Sequence, residues 1–80
     1  MIKYYTAIVT RKTHPFDDET AVRAFEDYDL FKYYAIDNAG NPDVIKQRLF
    51  RTVLGSVQKV TELELSFKDN LVVFKEEFNA

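Results

Sequence analysis

At 80 residues the chain is short even for one average domain, and we read it as a single domain over residues 1–80. It is 46% hydrophobic and 30% charged, which excludes a disordered polymer; it has no cysteine and one histidine, which excludes disulfides, thiol chemistry and a zinc site of the usual ligand set. A net charge of −2 gives no overall pull toward nucleic acid or an anionic membrane.

Residues 2–10 read as a strand apolar on both faces, with Ile2, Tyr4, Thr6 and Ile8 on one side and Lys3, Tyr5, Ala7 and Val9 on the other. The apolar positions of this N-terminal stretch are interrupted and too few for a secretory signal or a membrane span, so the expected location is cytoplasmic. Thr13 to Asp17 form a loop, after which Asp17 or Asp18 can cap a first helix. Ala21, Val22, Phe25 and Tyr28 recur at helical spacing, and the acids Glu26, Asp27 and Asp29 end the helix near Tyr28 because they oppose its dipole.

Aromatic-rich residues 31–37 predict a second strand, and Asn38 to Asn41 a turn. Asn41-Pro42-Asp43 has the residue order of a helix start, and Ile45, Leu49, Val53 and Leu54 share a helical face, so a second helix is expected over 42–54, with Gly55 as its stop. Segment 44–53 also admits a strand reading; the cap residues and the 45/49/53 spacing favour the helix.

Residues 59–67 alternate strictly, with Thr61, Leu63, Leu65 and Phe67 against Glu62, Glu64 and Ser66, and 71–78 form their hairpin partner. A two-residue turn at Asp69-Asn70 sets Phe67 opposite Val72, Leu65 opposite Phe74 and Thr61 opposite Phe78. The predicted fold class is therefore α+β in the order β-α-β-α-β-β. It has a mixed four-stranded sheet, two helices packed on one face and a C-terminal antiparallel hairpin.

Charge falls in blocks: +3 over residues 1–14, −5 over 15–30, +3 over 31–60 and −3 over 61–80. Such blocks attract one another within a fold or give it two electrostatic faces. None of the titratable groups forms a recognisable catalytic set. His14 precedes Pro15 in a loop and belongs to no nucleophile motif. Asp17, Asp18 and Glu19 suit a helix N-terminus, Glu62 and Glu64 a solvated strand face, and two glycines 15 residues apart build no phosphate loop. No cofactor or metal is expected.

What remains is an echo, Lys3-Tyr4-Tyr5 and Lys32-Tyr33-Tyr34, in which each tyrosine pair must straddle its predicted strand. The expected function is that of a small non-enzymatic interaction protein, binding a protein partner or itself through an aromatic-rich sheet face at Tyr5, Tyr34 and Phe78. Small size and the lack of chemistry suit a regulator or inhibitor, including one of phage or mobile-element origin. The alternative is a nucleic-acid-binding module built on Lys3, Tyr5, Lys32 and Tyr34 with an Arg48/Arg51 helix stripe; the net charge counts against it.

Overall fold

The computed structural model describes residues 2–13, 18–68 and 71–75, and from residue 66 onward only the strand pairing is described. The elements are β1 (Ile2–Lys12), β2 (Asp18–Phe25), α1 (Tyr28–Ala39), β3 (Val44–Leu54), β4 (Gln58–Lys68) and β5 (Leu71–Lys75). The strands lie in the order β2-β1-β3-β4-β5, and every pairing is antiparallel. The chain is thus a small α+β domain with an antiparallel sheet and one helix. The expected β-α-β-α-β-β order, the mixed character of the sheet and the second helix are all corrected.

The first correction concerns residues 18–25. They form no helix but the outer strand of a hairpin with β1, in which Ile8 faces Val22 and Tyr5 faces Phe25. The helical spacing of Ala21, Val22, Phe25 and Tyr28 came from a strand whose apolar residues point to both faces, followed by the first residue of α1. Only Phe25 of this strand is even partly buried. Pairing gives the backbone of β1 its hydrogen bonds along that edge, and this outweighs a weak helical stripe. The charge blocks follow the same pairing: Lys12 stands opposite Asp18 and Arg11 opposite Glu19.

The second correction follows from Asp27. Its Oδ1 accepts from the backbone N–H of Asp29 at 2.8 Å and of Leu30 at 3.2 Å, which is an N-cap. The acids that seemed to close one helix open another, and Asp29 in the first turn suits its dipole. The predicted strand 31–37 lies inside α1. Phe31, Ala35 and Asn38 point inward at helical spacing and are buried. Gly40 ends the helix, its N–H donating to the Ile36 carbonyl at 3.2 Å.

The third correction is the strand identity of 44–54. Asn41 Oδ1 accepts from the Asp43 N–H at 2.9 Å, and the Val44 N–H donates to the Asn41 carbonyl at 3.1 Å. This is an Asx-type turn, which uses the same Asn-Pro-Asp residues as a helix cap. The strand reading of 44–53 prevails because β3 fills the centre of the sheet, pairing with β1 from Val44 to Leu54 and with β4 from Leu49 to Leu54. Gly55 does not stop a helix; it begins the three-residue link 55–57 to β4.

The C-terminal hairpin has the predicted register, Leu65 opposite Phe74 and Phe67 opposite Val72. The expected contact of Thr61 with Phe78 lies outside the described residues.

The core sits between α1 and one face of the sheet. Tyr5, Ala7 and Val9 of β1, Phe31 and Ala35 of α1, Leu49 of β3 and Leu63 of β4 are buried there. Phe31 is 0% exposed, its ring 5.0 Å from that of Tyr5 and 5.9 Å from that of Phe25. A polar clip fixes the C-terminal end of the helix. Arg11 Nη2 donates to Asn38 Oδ1 at 3.0 Å, Asn38 Nδ2 donates to Gln47 Oε1 at 3.1 Å, and Gln47 Nε2 donates to the Ala35 carbonyl at 3.0 Å.

Candidate interaction surface

A strand sends successive side chains to opposite faces, so the odd-numbered residues of β1 beneath α1 leave the even-numbered ones on the other side. Register extends this division across the sheet. Ile2 aligns with Leu54 and Gln58; Tyr4 with Thr52 and Val60; Thr6 with Ala24, Phe50 and Glu62; Ile8 with Val22 and Arg48. These rows make up the helix-free face. Ile2 is 63% exposed, Val22 67% and Val60 54%, while Tyr4, Ile8, Phe50 and Leu54 are half-buried. Thr52 is buried although no helix covers it; its row neighbours are the larger Tyr4 and Val60.

The residues expected to bind lie elsewhere. Tyr5 is buried under the helix, stacked on Phe31. Tyr34 belongs to α1, with its ring 5.3 Å from that of Phe25. Phe78 lies outside the described residues. Of the first tyrosine pair, Tyr4 is the one on the helix-free face. The choice between them depended on which face receives the helix. Ala7, set between Tyr5 and Val9, leaves room for a large ring to approach the odd-numbered face, a packing requirement that hydrophobicity alone does not reveal. The second pair lies on a helix, so the Lys-Tyr-Tyr echo marks no repeated unit.

The basic residues also disperse. Lys3 and Arg51 are on the helix side of the sheet, Lys32 is on α1, and Arg48 is on the helix-free face. A spacing of three residues puts Arg48 and Arg51 on one side of a helix but on opposite sides of a strand. The helix stripe assigned to them therefore does not exist.

Arg48 instead forms a two-pronged bridge to Glu62, from Nε to Oε1 at 3.0 Å and from Nη2 to Oε2 at 3.3 Å, and its guanidinium lies 5.1 Å from the centre of the Phe50 ring. The hydrogen bond from Arg48 holds the Glu62 carboxyl below its ordinary pKa, aided by the charges of Arg48 and Lys46. A carboxyl lowered in the folded state contributes stability above its unfolded pKa and loses it as pH falls through the folded one. Arg48→Met is expected to move the Glu62 titration upward in a carboxyl-carbon NMR experiment. An unmoved titration would assign the shift to another group.

Beyond Leu49 and Leu63 the two middle strands part company. β4 pairs with β3 through residues 58–63 and with β5 through 64–68. Where they separate, an open cavity of about 500 Å³ is lined by Asn38, Val44, Gln47, Arg48, Glu62 and Leu65, among others. Its walls mix apolar and charged groups. Among the described residues, no three His, Cys, Asp or Glu side chains converge as metal ligands would. No helix among the described residues is long and apolar enough to cross a membrane.

No family model, curated protein or solved structure matches the chain.

Proposed function

We propose that the chain is a small non-enzymatic interaction protein that binds a protein partner, or a second copy of itself, through the helix-free face of its sheet. The observation that carries this reading is the exposure of Ile2, Val22 and Val60 on three different strands, around the half-buried Tyr4, Ile8, Phe50 and Leu54. An apolar surface spread over a paired sheet is already ordered, so little conformational entropy is lost when a partner covers it. The aromatic rings of Tyr4 and Phe50 are the kind of anchor that interfaces favour, and the Arg48–Glu62 pair stands at the rim. A regulator or inhibitor acting in the cytoplasm suits such a surface.

The double variant Ile2→Lys/Val60→Lys tests this reading. Both positions are exposed, so its thermal unfolding should differ from that of the wild type by no more than about 0.5 kcal/mol per site. Partner capture from a lysate of the source cells, followed by titration of the purified partner, should show binding by the wild type and its loss in the variant. Equal affinity in both proteins would rule this face out.

A further inference from the structure

The outer edge of β2 ends the sheet, and its only strand partner among the described residues is β1. Such an edge presents a row of backbone N–H and C=O groups ready to pair with another chain. Proline and lysine, which commonly blunt an edge, are both missing from β2, whose residues are Asp18-Glu19-Thr20-Ala21-Val22-Arg23-Ala24-Phe25. Glu19 stands opposite Arg11 of β1, and Arg23 opposite Ala7. Glu19 and Arg23 form no ion pair among the described residues; Arg23 only rests over the rings of Phe25 and Tyr34, at 4.9 and 5.1 Å.

We propose that this edge pairs antiparallel with the same edge of a second copy, about a two-fold axis through Ala21. The axis fixes the register. Glu19 of each copy stands opposite Arg23 of the other, Thr20 opposite Val22, Asp18 opposite Ala24, and Ala21 opposite itself. Directly opposed residues share a face, so the two acid–base pairs form on the helix side and the Thr–Val pairs on the helix-free side. Moving the axis to Val22 would set Asp18 against Glu26 and Glu19 against Phe25, losing both attractions. Moving it to Thr20 shortens the pairing and takes Glu19 away from Arg23. Among the described residues charge complementarity therefore selects a single arrangement, and the contact is closed because it uses the same surface on both copies. It goes beyond the face described above: the occupant is this chain, and the contact is a sheet edge. Its consequence for that face is that two sheets become continuous and present their apolar sides together.

Sedimentation equilibrium from micromolar to millimolar protein tests the pairing on four samples: wild type, Glu19→Arg, Arg23→Glu and an equimolar mixture of the two variants. Circular dichroism first establishes that each variant folds. The wild type should approach twice the chain mass as concentration rises. Each single reversal turns two attractive pairs into two repulsive ones and should weaken self-association about tenfold or more. In the mixture both pairs are attractive again, and a heterodimer should form with near wild-type affinity. If loss of the ring contacts unfolds Arg23→Glu, the comparison of Glu19→Arg with wild type decides alone. A wild type that stays monomeric overturns the pairing, and so does a dimer indifferent to reversal at Glu19. Because Ile2 and Val60 are on other strands, the Ile2→Lys/Val60→Lys protein should dimerise normally, which separates failure of the edge from failure of the face.

Discussion

Phe31→Ala should destabilise the protein by about 3–5 kcal/mol, the range for truncating a buried aromatic side chain. Phe31 is wholly buried and forms the centre of a ring cluster. Tyr5 stacks on it, Phe25 meets it at 59°, and these two rings extend the cluster to Tyr28 and Tyr34. Single domains are typically stable by only about 5–15 kcal/mol, and one this small belongs toward the lower end. A substantial unfolded fraction at physiological temperature is therefore expected. Urea unfolding followed by circular dichroism gives the value directly. A loss below about 1 kcal/mol would mean that the helix does not hold its ring against the sheet as described.

Asn38→Ala comes second, with an expected loss of about 1–3 kcal/mol. Asn38 is 3% exposed and uses its side chain in both senses, accepting from Arg11 and donating to Gln47. Arg11 is exposed and can turn to water, whereas Gln47 is partly buried and keeps only its bond to the Ala35 carbonyl. The loss should thus come mainly through Gln47. A double-mutant cycle with Gln47→Ala checks this: once Asn38 is gone, removing Gln47 should cost less than it does in the wild type. Strict additivity of the two losses would show that the clip does not act as a unit.

The parts of the fold legible in the sequence were those in which one pattern had one meaning. β1 and the β4–β5 hairpin are of this kind. Strict alternation from Thr61 to Phe67 admits only a strand, and hydrophobic matching fixes its register with Val72 and Phe74. The middle of the chain carries patterns with two meanings. Asp27 follows one stretch and precedes another, and an acid between them either ends a helix or caps one. Asn41-Pro42-Asp43 serves an Asx turn as well as an N-cap. Residues 18–25 have apolar side chains on both faces of a strand, which imitates a helical stripe. In each case long-range pairing decided the outcome: β2 and β3 flank β1, and this adjacency is not written in either segment. The interaction surface shared the same fate. That a helix-free face would exist was legible, as was the separation of Tyr4 from Tyr5 onto opposite sides. Which side the helix would cover depended on how Phe31 fits against the rings of Tyr5 and Phe25, and that is a matter of shape between elements far apart in the chain.

The place of β1 between β2 and β3 has a kinetic corollary. The β1–β2, β3–β4 and β4–β5 pairings join neighbours in the chain, but the β1–β3 seam joins residues as distant as Ile2 and Leu54. The entropy of closing a loop grows with its length, so local hairpins form readily and the seam is the slow event. The helix lies in the chain between the two halves and packs on both β1 and β3. Docking of α1 therefore draws the seam together. Phe31 is at the point of docking, so its loss should slow refolding as well as hasten unfolding, and both arms of the chevron plot should shift.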